Sequence, residues 1–196
     1  SSYGTMPDGP ATITPDARTR ILDAAEAIVQ ARGVPALTLE AAARDAGVSK
    51  GGLLYHFASK EALLVAMLAR MGEFIEREYR ACVEAQPEGP ARATRATLQW
   101  GFGDGEGACD ERHDRAAAVF LAAFNHDPAL LDPMRDVIAR MRANIAADGL
   151  PAGVSHVVYA AADGIFMARL FRLYTPASGE LAALGGALKR LIGGTP

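Results

Sequence analysis

The sequence lacks the features of a secreted or membrane-spanning protein. It has two cysteines in 196 residues, Cys82 and Cys109, and they form neither a disulfide framework nor a CxxC pair. No apolar run reaches the 18 residues that a membrane helix needs, and residues 1–10 carry no signal-peptide pattern. We therefore expect a reduced, cytoplasmic protein with no membrane partner. Residues 1–5 resemble the remnant of an expression tag, and we expect residues 1–15 to be disordered.

Catalytic and metal-binding motifs are also missing. The sequence contains no GxSxG, Walker, GxGxxG or HExxH pattern, so we expect neither an enzyme nor a cofactor. One glycine-rich stretch carries several potential metal ligands, but their spacing fits neither a calcium loop nor a zinc site. We expect no metal there; the residues concerned are Asp104, Glu106, Cys109, Asp110, Glu111, His113 and Asp114.

A basic overall charge is absent too. The formal net charge is −3, so the chain as a whole offers no field that attracts nucleic acid. Residues 1–60 hold six basic and six acidic side chains, and the acidic excess lies in residues 61–196. Any contact with DNA must therefore come from the local placement of a few charges.

The residues that are abundant favour helices. Half of the chain is hydrophobic, with Ala and Leu prominent and no alternating strand pattern. We predict an all-α fold of about nine helices. Their approximate ranges are 15–32, 39–46, 50–57, 60–85, 91–102, 112–125, 128–147, 152–174 and 178–192. Side-chain caps are predicted at Thr14, Thr38, Ser49 and Ser59.

Residues 46–49, Ala-Gly-Val-Ser, have the composition of the turn in a helix-turn-helix. Gly47 can adopt a positive φ, Val48 can fill the wedge between two helices, and Ser49 can cap the second helix. The sequence Lys50-Gly51-Gly52 then places a cation and two bare backbone positions at the start of that helix. Helix N-termini suit phosphate. Since glycine is a poor helix former, two in succession suggest that another molecule approaches closely.

The run from Thr38 to Leu64, TLEAAARDAGVSKGGLLYHFASKEALL, resembles the DNA-binding signature of TetR/AcrR-type regulators, and residues 20–25 resemble the first helix of that family. The resemblance implies a helix-turn-helix domain at 16–60 and a helical ligand-binding and dimerisation domain at 61–196, joined by a linking helix at 60–85. It implies a homodimeric regulator, by family habit a repressor, that binds a palindromic operator and is released by a small, largely apolar or aromatic effector.

The same resemblance places Thr38, Ser49, Lys50 and Lys60 near the DNA backbone and turns Tyr55 and His56 toward DNA, while Leu53 and Phe57 pack inward. The expected DNA-binding residues are Thr38, Arg44, Ser49, Lys50, Gly51, Gly52, Leu54, Tyr55, His56 and Lys60. Two positions depart from the family pattern: Leu54 replaces a common Tyr, and Ala42 replaces a larger aliphatic residue. The alternative is that the aromatic residues are core and the lysines are solvated.

An effector pocket is expected among the middle helices, where aromatic and flexible apolar residues suit a greasy ligand. The candidates are Trp100, Phe102, Phe120, Phe124, His126, Met134, Ile138, Met141, Tyr159, Phe166 and Met167. Each of them is, taken singly, also a normal core residue. His113 and His126 are the polar side chains of interest. A fixed buried hydrogen bond is the commonest use of such a histidine, and solvent exposure is the next.

The last two helices are expected to form the dimer interface, as a four-helix bundle across a two-fold axis. The candidates are Tyr159, Ala160, Asp163, Gly164, Met167, Phe171, Leu181, Leu184, Leu188 and Leu191. The alternative is an ordinary buried helix pair. For the protein as a whole, the competing hypothesis is a helical module that binds a small molecule or a partner and does not regulate DNA.

Overall fold

The computed structural model describes residues 15–102, 119–121, 123–171 and 173–194, and this part of the chain contains helices and no strand. The all-α prediction is confirmed. The helices are α1 (Ala17–Arg32), α2 (Leu39–Asp45), α3 (Lys50–His56), α4 (Lys60–Glu84), α5 (Arg92–Phe102), α6 (Asp132–Ala146), α7 (Ala152–Leu170) and α8 (Ser178–Gly193). Residues 119–121 and 123–126 are also helical. The predicted tag remnant, the acidic stretch 104–114 and the start of the helix predicted at 112–125 lie outside the described residues.

Helix α1 packs one apolar face into the core. The five residues of the predicted face are all at most 2% exposed: Ile21, Leu22, Ala25, Ile28 and Val29. Asp16 caps the helix, because its Oδ1 accepts a hydrogen bond from the Thr19 amide at 2.7 Å. The cap predicted at Thr14 lies outside the described residues, and the carboxylate of Asp16 fills that role. Gly33, with φ 76°, ends the helix as predicted.

The turn between α2 and α3 is a Schellman motif. The Val48 amide donates to the Ala43 carbonyl at 3.0 Å, and the Gly47 amide donates to the Arg44 carbonyl at 3.1 Å. This arrangement requires a left-handed residue after the helix, and Gly47 supplies it with φ 66°. The motif satisfies the last carbonyls of α2 and turns the chain so that α3 begins two residues later.

The C-terminal helices depart from the predicted boundaries in two places. The segment predicted as one helix at 128–147 begins as a 3-10 turn, Pro128–Leu131, before α6. A proline lacks the amide that an α-helix interior needs, and residues 128 and 133 are both proline. Helix α7 ends at Leu170 and not near 174; the Leu173 amide donates back to the Ala168 carbonyl at 2.9 Å, and Pro176 follows.

Helix α4 belongs to both halves of the fold. Its first half buries Leu63, Leu64, Met67 and Leu68 in the core shared with α1–α3, and its second half buries Tyr79 against α5 and α6. In the described residues no single helix is long and apolar enough to cross a membrane. The bent pair α3 and α4, with 59° between them, meets the criterion on length and composition alone.

Candidate nucleic-acid interface and internal cavity

The hydroxyl caps of α2, α3 and α4 lie close together in sequence and share one geometry. Thr38 Oγ1 accepts from the Ala41 amide at 3.0 Å, and Ser49 Oγ accepts from the Gly52 amide at 3.0 Å. Ser59 Oγ accepts from the Ala62 amide at 3.2 Å. A hydroxyl that accepts from an amide keeps its own O–H free to donate. Thr38 and Ser49 therefore retain donors that a phosphate oxygen can accept.

Helix α3 has a buried face and an exposed face, as the resemblance predicted. Leu53 is fully buried and Phe57, just after the helix, is 3% exposed. On the other face Tyr55 is 85% exposed and Leu54 is 41% exposed. His56 is half-buried and packs edge-on against Tyr55, with ring centroids 5.0 Å apart. Tyr55 therefore lies outside the core, and the alternative interpretation of Tyr55 as a core aromatic residue is wrong.

The cations of this surface have partners within the chain. Lys50 Nζ lies 2.6 Å from Glu40 Oε1, and this hydrogen bond holds the pKa of Glu40 below its usual range. Lys60 Nζ donates to the Val34 carbonyl at 3.4 Å. Arg44 forms an ion pair with Asp45 at 3.0 Å. A phosphate that approaches α3 must therefore compete with Glu40 for Lys50.

The two glycines of α3 differ in their surroundings. A Cβ at Gly51 would meet nothing within 4 Å, whereas one at Gly52 would lie 3.2 Å from Ser49 Oγ, the atom that caps the helix. Gly51 therefore leaves open space on the exposed side, as a close approach by another molecule requires. Gly52 is instead accounted for by the cap itself.

A cavity of about 700 Å³, measured out to its open mouth, lies among α4, α5, α6, α7 and the 119–126 segment. Eight of the predicted pocket residues line it: Trp100, Phe120, Met134, Ile138, Met141, Tyr159, Phe166 and Met167. Six other lining residues were not predicted to belong to the pocket: Met71, Ile75, Thr97, Val137, Ala162 and Asp163. Most of these are aliphatic residues without an individual sequence signal. They become recognisable only once the helices have been assembled.

Three predicted pocket residues lie elsewhere. Phe102 packs against Leu98, Val158 and Leu188. Phe124 is 52% exposed. His126 is exposed, and its Nε2 lies 2.7 Å from Glu61 Oε1 at the start of α4. The 119–126 segment thus turns Phe120 toward the cavity and the end of the segment toward α4. His113 lies outside the described residues.

The dimer candidates divide between two faces. Tyr159, Asp163 and Met167 line the cavity, and Leu188 is buried within the chain with Leu184 packed beside it. Leu181 is half-buried. Exposed are Ala160, Gly164, Phe171 and Leu191. Three further residues that were not among the dimer candidates are exposed as well: Val157 on α7, and Ala183 and Ala187 on α8. Small and apolar side chains thus form part of the exposed surface of α7 and α8.

A pair of ion bridges ties α4 to α1 beside the cavity. Arg70 lies 2.6 Å from Asp23 Oδ1 and 2.7 Å from Glu26 Oε1. Burial lowers the pKa of Arg70, but the two carboxylates outweigh this and hold it above its usual range. The next residue, Met71, lines the cavity. A displacement of α4 at Met71 would therefore also disturb the ion pairs that Arg70 forms with α1.

No group of three or more potential metal ligands occurs in the part of the chain that the structure describes. The described residues of the cavity wall include no histidine. Their side chains are apolar except for the hydroxyls of Thr97 and Tyr159, the indole N–H of Trp100 and the carboxylate of Asp163. Such a wall suits an organic molecule better than a metal ion.

Comparison with known proteins identifies both halves of the chain. The family model described as "Bacterial regulatory proteins, tetR family" matches residues 21–67, and that described as "Tetracyclin repressor-like, C-terminal domain" matches residues 91–193. The HTH-type transcriptional regulator TtgW of Pseudomonas putida is 41% identical over 64 residues, and LmrA of Bacillus subtilis is 34% identical over 85 residues. These matches cover 33% and 43% of this chain and 48% and 45% of the relatives, so the chain aligns with less than half of each relative.

Solved structures extend the similarity to nearly the whole chain. The multidrug-binding protein EbrR, solved with malachite green, is 28% identical with a TM-score of 0.65, and the match covers 91% of this chain and 99% of EbrR. A regulator from Streptomyces coelicolor A3(2) has a TM-score of 0.72 over the same shares of the two chains, and at 20% identity it supports the fold alone. The predicted family is thereby confirmed: the chain belongs to the TetR family of bacterial transcriptional regulators.

Proposed function

We propose that this protein is a homodimeric, ligand-responsive repressor that binds a palindromic DNA operator and releases it when a small apolar or aromatic molecule occupies the cavity. The observation that carries the proposal is the shape of α3, with Leu53 and Phe57 in the core and Tyr55 85% exposed on the opposite face. A short helix that commits its apolar side to the core and projects an aromatic polar side chain suits insertion into the major groove.

The DNA contacts divide into positioning and reading groups. Thr38, Ser49, Lys50 and Lys60 would contact phosphates, which fixes the register without specifying sequence. Tyr55 and His56 would face base edges, with Leu54 beside them and Arg44 at the end of α2. Gly51 leaves room for the backbone to approach the duplex. We assign DNA binding to residues 16–60 and effector binding and dimerisation to residues 61–196. Such a repressor acts in the cytoplasm, where its operator lies.

The dimer would form through the exposed surface of α7 and α8. Ala160 and Gly164 permit a close approach of helices, and Val157, Phe171 and Leu191 add apolar area around them. Two copies related by a two-fold axis would place two α3 helices on successive major grooves, as a palindromic operator requires.

Two observations support a role for the cavity in release. First, EbrR binds malachite green and, in a second structure, ethidium, and aromatic ligands of this kind fit a wall rich in aromatic and methionine side chains. Second, α4 runs without a break from Lys60 to Met71 and Ile75 at the cavity. Lys60 belongs to the surface around α3 that we propose contacts DNA, called the reading surface below. A ligand that shifts α4 would re-space the two α3 helices; a coupling of about 1–3 kcal/mol is typical of such switches.

The DNA-binding role is tested with the double variant Lys50→Ala/Lys60→Ala. Duplexes are first selected from genomic DNA with the wild-type protein, and affinity is then measured against salt concentration. We expect a loss of at least about tenfold on every duplex and a salt slope shallower by about 4, since the dimer loses two phosphate contacts in each subunit and each contact contributes roughly 1. The control is Arg80→Ala, an exposed cation in the second half of α4 and away from α3, α7 and α8, which should leave both quantities unchanged.

The competing hypothesis, a helical binding module that does not regulate DNA, gives the opposite results. Such a protein would select no duplex, and the double variant would behave like Arg80→Ala. A strictly monomeric protein in solution would contradict the dimer, and operator affinity that never responds to a bound ligand would contradict the switch.

A further inference from the structure

Among the described residues that line the cavity, one side chain carries a charge and the others are uncharged. Of the fourteen described residues that line it, Asp163 alone carries a charge. Its side chain projects from the middle of α7 and is half-buried. The Thr97 hydroxyl, on the same wall, donates to the Ala93 carbonyl at 2.9 Å. In the described part of the chain nothing forms a hydrogen bond or an ion pair with the Asp163 carboxylate.

Among the described residues, the cation that acts on Asp163 is Arg142, which is not part of the cavity lining. The guanidinium of Arg142 on α6 stacks over the ring of Tyr159 at 5.1 Å, and the Arg142 side chain is exposed. Burial raises the pKa of Asp163, and the positive charge of Arg142 opposes this shift without cancelling it. The half-buried carboxylate has therefore lost part of its hydration and has no partner in contact among the residues that the structure describes, which is an unfavourable situation for an ion.

The surroundings of Asp163 are suited to a positive charge that is itself poorly hydrated. Trp100, Phe120, Tyr159 and Phe166 line the same cavity, and the faces of aromatic rings attract cations. An inorganic cation would find one carboxylate and too few oxygen ligands. A planar organic cation would bury its apolar surface against the rings and neutralise the carboxylate at the same time. An anion would meet the field of Asp163 and be disfavoured.

We propose that the cavity selects planar aromatic cations and that Asp163 provides the counter-charge that distinguishes them from neutral molecules of the same shape. This inference rests on the proposed function, which places the effector in this cavity. Asp163 then acts on specificity, whereas the aromatic wall supplies affinity that is shared by charged and uncharged ligands.

The test uses two probes of equal shape, 10-methylacridinium and 9-methylanthracene, which differ in that a ring carbon of the second is a positively charged nitrogen in the first. Anthracene-9-carboxylate serves as the anionic probe. Trp100 is the sole tryptophan of the chain and lines the cavity, so quenching of its fluorescence reports binding at this site. Dissociation constants are measured for the wild type, Asp163→Asn, Asp163→Glu and the control Asp136→Asn, an exposed carboxylate on α6.

We expect Asp163→Asn to weaken binding of 10-methylacridinium by about tenfold, a change of the size that one partly screened charge pair produces, and to change binding of 9-methylanthracene by less than about twofold. Asp163→Glu should restore most of the affinity for the cation, and Asp136→Asn should have no effect on either probe. The carboxylate probe should bind the wild type least tightly and should gain affinity in Asp163→Asn.

Three results would overturn the inference: equal losses for the charged and neutral probes in Asp163→Asn, an equal loss in Asp136→Asn, or no quenching of Trp100 by 10-methylacridinium. The melting temperature of each variant identifies a folding defect. Operator affinity of the same samples without probe is measured in parallel, so a failed charge preference with intact operator binding refutes the role of Asp163 alone. Loss of duplex binding by the wild type would refute the proposed function instead.

Discussion

The two halves of the molecule are packed for different purposes. In the N-terminal half, short helices are capped at each start and enclose a core whose central residues, such as Leu22, Leu53 and Leu64, are at most 1% exposed. In the C-terminal half, long helices surround a cavity that opens to solvent. Four of the six methionines of the chain line this cavity: Met71, Met134, Met141 and Met167. A fixed framework presents α3, whereas unbranched side chains let the other half adapt its shape.

The difference in packing is sharpest along α4, which contributes to both halves. Leu64 is fully buried in the N-terminal core, and Ile75 is half-buried at the cavity. We expect Leu64→Ala to cost about 3 kcal/mol of the free energy of unfolding, because it creates a new void, and Ile75→Ala to cost about 1 kcal/mol, because it enlarges an existing one. Chemical denaturation measures both. Equal costs would contradict the contrast between the two halves.

One wall of the cavity is expected to resist change in spite of its position. A Cβ at Gly101 on α5 would lie 2.8 Å from the Cβ of Ala162 on α7, and 3.4 Å from its Cα. Neither atom can rotate away, so Gly101→Ala should destabilise the fold by about 2 kcal/mol. The control is Gly179→Ala on α8, where a Cβ meets nothing within 4 Å. That variant should be neutral or slightly stabilising in the same denaturation experiment.

One substitution at the reading surface is expected to strengthen DNA binding. Glu40→Gln removes the carboxylate that binds Lys50 at 2.6 Å and releases the lysine for phosphate. We expect operator affinity to rise by about threefold, with little change in stability because the pair is exposed. Glu88→Gln, in the turn after α4, removes the same charge far from α3 and is the control. An unchanged affinity in Glu40→Gln would contradict competition between Glu40 and phosphate for Lys50. A weaker affinity would indicate instead that Glu40 positions Lys50 for the contact.

The smallest effect concerns the stability cost of Asp163. Burial raises the pKa of this group, with Arg142 opposing, so ionisation costs the folded state stability above the folded-state pKa, and the cost disappears as the pH falls toward the unfolded-state value. Arg142 on α6 and Tyr159 on α7 are the charged and titratable groups near it among the described residues. Asp163→Asn should raise the melting temperature by about 1 °C at neutral pH, and the gain should shrink on acidification. A gain that does not vary with pH would contradict this account.

The sequence predicted the N-terminal half in detail because its determinants are local. Thr38, Ser49 and Ser59 each cap the helix for which they were predicted, and Gly47 has the positive φ that the turn needs. A cap or a turn depends on residues within five positions, so their identities suffice. The buried and exposed faces of α3 also followed from the pattern of the family signature.

The cavity was harder to predict because it depends on how long helices rotate about their axes. Helix α7 is apolar over most of its circumference, so periodicity does not decide which side faces inward. Asp163 was therefore expected at a dimer interface, yet it lines the cavity. In the same way Phe102 and Phe124 carry the residue type of a pocket wall but sit on other faces. The hydrogen bond between His126 and Glu61 joins residues 65 positions apart, which no local pattern reveals.

The unbroken length of α4 makes it a lever. From Lys60 to Met71 the helix rises roughly 16 Å, so a tilt of about 10° at the cavity end would carry the other end sideways by roughly 3 Å, close to the 3.4 Å spacing of bases along a strand. In the proposed switch, a ligand in the cavity would need to change the angle of this helix only slightly to move α3 out of step with the major groove.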